Sequence, residues 1–245
     1  MSLSTKLHAK NNPTANTPLD PPLFGPPLPT VIYNVVRKAI VDGIYQPGES
    51  VRQEALARQL SVSRVPIREA LSRLEAEGLV VLRPRRGYIV KELDVNEIIE
   101  IFELRAVMEE HAAYVATKAR SSTDIREVQA LLERMEVLSE GTFSEAPQWV
   151  ELNRRFHHRI FASSGRVHLS QAISNYRDWV DAYIRIEIAM TGKLAEAHQD
   201  HLQIVQAFVN GDADLAAQLS REHCMHTLDR LLKALKAVDD GKSGD

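Results

Sequence analysis

The chain has one cysteine, Cys224, in 245 residues. A lone thiol excludes an intramolecular disulfide framework and any cysteine-rich zinc site. No apolar run approaches the roughly 18 residues a membrane helix needs. The N-terminus has no apolar core behind a basic start, so a secretory leader is not expected and a cytoplasmic protein is. Proline is scarce after residue 29: seven of the 11 prolines lie before Thr30. That density blocks helices and sheet ladders, so Met1 to about Pro29 is expected to be a disordered arm. Excess charge is slight, −3 overall, which argues against a protein that coats nucleic acid. The remaining composition, 44% hydrophobic and 26% charged, is that of an ordinary globular chain.

The small net charge hides an asymmetry. Residues 30–91 carry 11 lysines and arginines against 6 acids, whereas residues 92–245 carry 17 against 26. A basic module before an acidic one suggests two domains with different partners, and the basic one is the nucleic-acid candidate. The expected division is 30–91, then 92–238, then a short tail, 239–245.

The basic segment reads as three helices and two strands. Val31, Val35, Val36, Ala39 and Ile40 follow helical spacing up to Gly43. Ser50 and Gln53 suggest a capping box for a second helix through Leu60. Ser63 is placed to cap a third helix carrying Ile67, Ala70, Leu71 and Leu74, with Pro66 in its tolerant first turn. "LVVLRPRRGYIV" then reads as a strand, a basic turn and a strand. The sum is a winged helix-turn-helix. Arg64 and Arg68 share one face near the N-terminus of the third helix, the end that enters the major groove. A guanidinium there pairs with guanine O6 and N7. Ser63 and the free N–H groups beside it suit a phosphate, as does Arg73 further along. Arg83, Arg85 and Arg86, with Gly87, suit backbone or minor-groove contact at the wing. One recognition helix reads too few base pairs for genomic specificity, so a homodimer on a palindromic double-stranded operator is expected.

From Asp94 the pattern is helical only. Asp94 and Glu97 suggest a capping box, and helices fit 94–120, 124–139, 146–162, 167–190, 193–209 and 212–237. The expected fold is therefore mostly α: a winged helix-turn-helix followed by an antiparallel six-helix bundle.

Eight of the nine histidines lie in this bundle. The last two helices turn about Gly211 and Asp212, and His201 and His223 are equidistant from that turn, roughly 16 Å along each helix. They should face each other. His198 and His226 share the same midpoint and form a second possible layer. His201 is central among Leu194, Ala197, Ile204, Val205 and Phe208, whereas His198 is at the edge of that face. Asn153 and His157, four apart, present two further donors on one face. Asn153, His157, His201 and His223 together either hold a divalent ion such as zinc or nickel, or form a buried polar network.

Two stretches carry a family resemblance. "AIVDGIYQPGESV" with "LARQLSVSRVPIREALSRLEAEGLVVLRPRRGYIV" resembles the DNA-binding domain of GntR-type bacterial transcription regulators. The resemblance implies operator-reading roles for Arg64 and Arg68. It departs at Glu54, where some relatives carry a DNA-contacting arginine, and at Arg85, where some carry glycine. "IFELRAVMEEHAAYVA", "NRRFHHRIFASSG" and "HLQIVQAFVNGDADLAAQLSREH" resemble the FCD ligand-binding domain of the FadR-type branch, and six helices resemble its VanR-like subgroup. That resemblance implies a metal on Asn153, His157, His201 and His223, with Asn153 standing where the family has aspartate. It also implies a small carboxylate effector beside the metal, paired with Arg105. Arg154, Arg159, Tyr176, Arg177 and Tyr183 are further candidates for the cavity wall, and an Arg105–Glu109 ion pair is the structural alternative. The leading expectation is a ligand-responsive transcription regulator and not an enzyme. The alternatives are a metal sensor and a metal-dependent hydrolase with an appended DNA-binding wing.

Overall fold

The structure, a computed structural model, describes residues 25–139, 146–192 and 194–242. Most of the proline-rich arm therefore lies outside the described residues, as does the connection at 140–145. Among the described residues the order is α1 (Leu28–Val41), β1 (Ser50–Val51), α2 (Gln53–Leu60), α3 (Arg64–Ala76), β2 (Val80–Arg83) and β3 (Gly87–Val90), then α4 (Val95–Ala119), α5 (Ser122–Ser139), α6 (Ala146–Ala162), α7 (Val167–Thr191), α8 (Leu194–Asn210) and α9 (Ala213–Lys242). This is the mostly α architecture of three helices, a small sheet and a six-helix bundle.

Two apolar cores form. The first packs Ile32, Val36, Ile67, Leu71, Leu74 and Tyr88 between α1, α3 and the sheet. The second packs Phe102, Trp149, Phe156, Phe208 and Leu231 within the bundle. Trp179 of α7 packs against both.

Several local expectations are corrected. α1 starts at Leu28, inside the expected arm, because Pro29 suits a first turn whose N–H groups need no helical partner. Its buried stripe is Ile32, Tyr33, Val36, Ile40 and Val41, while Val31 and Val35 are exposed. Ser50 does not cap α2; it pairs with Ile89 in a third strand, giving an antiparallel order β1-β3-β2. Arg52 is the N-cap instead, without a side-chain bond. Ser63 is the N-cap of α3, but its hydroxyl makes no capping bond. α9 runs to Lys242, beyond the expected end.

The Asp94 capping box does form: Asp94 accepts from the Glu97 N–H at 2.9 Å, and Glu97 accepts from the Asp94 N–H at 3.1 Å. That backbone bond is the main reason the Glu97 carboxyl titrates below its usual range. It fixes where the bundle begins.

α7 joins the two units. Asp178 forms an ion pair with Arg37 of α1. Trp179 Nε1 donates to the Glu77 carbonyl at 2.8 Å. Arg185 Nε donates to the Val41 carbonyl at 2.9 Å, and the Leu93 N–H donates to the Tyr183 hydroxyl at 2.7 Å. Gly78, at φ +77, is needed for this contact: a Cβ there would lie 2.7 Å from Trp179 Cζ2. Both the left-handed backbone and the indole exclude a side chain.

Candidate metal centre and DNA-reading surface

α3 follows a left-handed residue, Ser61 at φ 54, which turns the chain sharply after α2. The buried side of α3 is Ile67, Ala70, Leu71 and Leu74, so Arg64 and Arg68 project outward. Arg68 has no protein partner among the described residues. Arg64 Nη2 lies 3.1 Å from Glu54 Oε1, and both side chains are more than two-thirds exposed. In water such a pair contributes little. Arg73 is differently engaged: Nε donates to Glu77 Oε1 at 3.3 Å, and the guanidinium lies 3.8 Å from the centre of the Tyr33 ring. Its local role is to brace α3 against α1.

At the wing, Arg83, Arg85 and Arg86 are all exposed, and Arg83 pairs with Gly87 where β2 meets β3. Arg85 has φ 64, a left-handed backbone that non-glycine residues adopt at a cost. The strained turn presents three guanidinium groups on one solvent-facing tip.

The second site lies inside the bundle. α6 brings Asn153 and His157, α8 brings His201, and α9 brings His223. His201 Nε2 is 3.2 Å from His157 Nε2 and 3.2 Å from His223 Nε2. His201 is fully buried and packed beside Phe156 and Trp149, with ring centroids 4.9 and 6.0 Å away. Burial holds the His157 and His201 imidazoles well below their usual titration range. It lowers His223 as well, and the Asp200 carboxylate opposes that shift. Three neutral rings thus converge through the same nitrogen. One nitrogen carries one proton or one lone pair, so His201 Nε2 cannot make two good hydrogen bonds at once. A cation resolves that conflict. Two nitrogens held at about 2.05 Å by one tetrahedral ion stand roughly 3.3 Å apart, close to the separation seen. The Asn153 side-chain oxygen is buried without a hydrogen-bond partner and faces the same void. The donor set therefore fits a divalent ion.

Asp200, one residue before His201, accepts from His223 Nδ1 at 3.1 Å. This carboxylate–imidazole contact turns Nε2 inward. Sequence reasoning missed it, although Asp200 and His223 are nearly level across the hairpin. The second possible histidine layer does not form, in line with the place of His198 at the edge of the inward face. His198 is buried with both nitrogens unpartnered, while His226 is largely exposed and bonds Asp200 at 3.3 Å.

Arg105 lies beside the centre, buried, with Nε donating to Glu109 Oε1 at 2.9 Å. Its Nη1 is buried without a partner. Glu109 also accepts from Arg177 Nη1 of α7 at 3.2 and 3.3 Å. The two arginines hold the Glu109 carboxyl below its usual range against burial, which acts the other way and more strongly on its own. The ion-pair alternative for Arg105 is thus realised, with one nitrogen to spare. Arg230 and Thr227 also line the void. Of the other candidate wall residues, Arg177 reaches this void, whereas Tyr183 is turned to Leu93 and Arg159 is bound by Asp124 and Glu127. The void itself is small, about 20 Å³.

Comparison with known proteins agrees with the two-domain architecture. The pattern of bacterial regulatory proteins of the gntR family matches residues 29–90, and that of the FCD domain matches residues 100–226. The chain is 27% identical over 200 residues to the Nta operon transcriptional regulator of Aminobacter aminovorans, covering 79% of this chain and 90% of that one. It is 26% identical over 210 residues to the HTH-type transcriptional repressor GlaR of Escherichia coli, covering 83% and 95%. Among solved structures, E. coli McbR/YncC shares the fold with a TM-score of 0.77 at 22% identity, over 84% of this chain and 97% of that one. A putative GntR regulator from Rhodococcus sp. RHA1 does so with a TM-score of 0.71 at 19% identity, over 84% and 98%. These relatives are regulators, and the hydrolase alternative has no support among them. The chain belongs to the GntR family of bacterial regulatory proteins, and it is a transcription regulator with a winged helix-turn-helix DNA-binding domain and a helical FCD domain.

Proposed function

We propose that the protein is a cytoplasmic, homodimeric regulator of a palindromic operator, controlled by a small carboxylate that enters the helical domain beside a divalent metal. Residues 30–91 form the reading unit and residues 92–238 the sensing and dimerising unit. Arg64 and Arg68 read bases, and Ser63 with the wing residues Arg83, Arg85, Arg86 and Gly87 meets the backbone. The exposed apolar pair Leu104 and Val107 on α4 of the dimerising unit supports pairing of two copies. His157, His201 and His223 hold the metal, zinc or nickel, with the Asn153 oxygen as a weaker fourth ligand. The ion supplies a Lewis-acidic anchor for one carboxylate oxygen. Arg105 offers its spare Nη1 to another.

One observation carries the regulatory reading: α7 touches both ends. Arg177 reaches the interior site through Glu109, while the adjacent Asp178 and Trp179 grip α1 and the end of α3. A void of about 20 Å³ admits an ion or one water, not an organic acid. An acid therefore enters only as the helices around it separate, and α7 is one of them. The effector works through its unequal affinity for the closed and opened arrangements.

The test is a screen of central-metabolism and sugar-derived acids against metal-loaded protein. At least one acid should raise the melting temperature and change operator affinity, with both effects lost in Arg105→Ala while the metal is retained. Glu109 keeps Arg177 in that variant, so no buried charge is stranded. The small void favours a second reading, in which the metal itself is the signal. Operator affinity that responds to metal and to none of the acids selects that reading. Operator binding indifferent to both defeats the two together.

A further inference from the structure

A second cavity lies on the outer side of the bundle between α5, α6 and α7, with a volume of about 580 Å³. That is within the usual range for small-molecule sites. Arg134, Arg154, Arg155, Arg159, Arg177 and His158 line it, against two acids, Glu127 and Asp178. Such a concentration of arginine stands out in a half of the chain that carries more acids than bases. The charge is only partly spent. Arg159 is bound by Asp124 and Glu127, Arg154 by Glu151, and Arg177 by Glu109. Arg134, Arg155 and His158 are exposed and have no protein partner among the described residues. Arg177 is buried and keeps its Nε without a hydrogen bond. The rest of the wall is Ala130, Ser170 and Ser174 with the edges of the buried Leu131, Phe161 and Ile173.

We propose that this cleft is a second ligand site, distinct from the metal centre, for a small organic dianion. Two unpaired guanidinium forks match two anionic oxygens, from a phosphate monoester or a dicarboxylate alike. The size of the cleft argues against a bare inorganic ion as the best occupant, because about 580 Å³ is room for a small organic molecule. The site is wired to both others. Arg177 lies between cleft and interior void and lines each. Asp178 lines the cleft and holds Arg37 of α1. An anion seated here competes with Glu109 for Arg177 and lies beside Asp178, which holds Arg37, and so acts on the reading unit without entering the bundle.

The experiment is isothermal titration calorimetry on the full-length, zinc-loaded protein with phenyl phosphate, phthalate and, as the uncharged control, benzyl alcohol. One or both dianions should bind saturably and benzyl alcohol should not; which dianion binds tells phosphate from carboxylate chemistry. The double variant Arg134→Ala/Arg155→Ala removes two exposed side chains, so the fold stays intact, and should weaken binding about tenfold or more. Chelating the metal should leave binding to the cleft unchanged, which separates this site from the interior one. No saturable binding, equal binding of the neutral control, indifference to the double variant, or loss on chelation would each overturn the proposal.

Discussion

Removing the ion from the three histidines should lower the melting temperature by several degrees, and His201→Ala should abolish that response. The magnitude follows from mass action. A ligand at a hundredfold excess over its dissociation constant stabilises the native state by about 2.7 kcal/mol. For a chain of this size each kcal/mol moves the midpoint by roughly 2–4 °C, so the expected shift is about 5–11 °C. His201 is the right probe because its Nε2 makes both 3.2 Å contacts. Truncating a fully buried ring also leaves a cavity, so His201→Ala melts lower whatever the metal does. The informative quantity is therefore the difference between zinc-loaded and chelated samples of each variant. It should be about 5–11 °C in the wild type and near zero in His201→Ala. His198→Ala is the control: three residues away, also buried, but with neither nitrogen bonded. It should keep the full difference. Asn153→Asp should enlarge it by adding a negative charge to the ligand set. Differential scanning fluorimetry on untagged protein measures all four. A wild type indifferent to chelation, or a response lost in His198→Ala and kept in His201→Ala, refutes the geometry.

Other outcomes follow from single contacts. Glu109→Gln leaves Arg105 and Arg177 buried without their shared counter-ion and should cost about 3–5 kcal/mol in denaturant unfolding. Asp178, whose carboxyl burial pushes up to about 7, binds a proton in the native state over a pH range where the unfolded chain has released it. Stability should therefore fall as pH rises from about 4 to about 7, and Asp178→Asn should make that slope shallower by up to about 1.4 kcal/mol per pH unit. Gly78→Ala should destabilise the protein by about 1–3 kcal/mol through left-handed strain and displacement of Trp179, read as a lower melting temperature.

Much of this was legible because local rules governed it. The Asp94–Glu97 box, the glycines at 78 and 211, and the apolar stripes mark element ends by chemistry that acts within one turn. The His201–His223 meeting was legible for a different reason: a fixed rise per residue makes a hairpin a ruler. The same ruler admits His198 and His226 as a second possible layer, and the apolar stripe decides against it, because three residues turn a helix by about 300°. That rotation carries one ring toward α5 and the other out to solvent. β1 escaped notice because two residues show no alternation, and Ser50 resembled a cap. Arg105 with Glu109 was readable as an i, i+4 pair. Arg177 with Glu109 and Asp178 with Arg37 were not, since those partners lie 68 and 141 residues apart and nothing local links them.

The central claim is that α3 reads operator DNA, and titration of a palindromic duplex recovered by selection from random DNA tests it most directly. Fluorescence anisotropy at one fixed salt concentration should show Arg68→Ala losing about 1–3 kcal/mol of specific binding per half-site, with weak binding to unrelated DNA almost unchanged. An Arg68→Ala protein with an intact circular-dichroism spectrum and wild-type affinity for the selected duplex would contradict it.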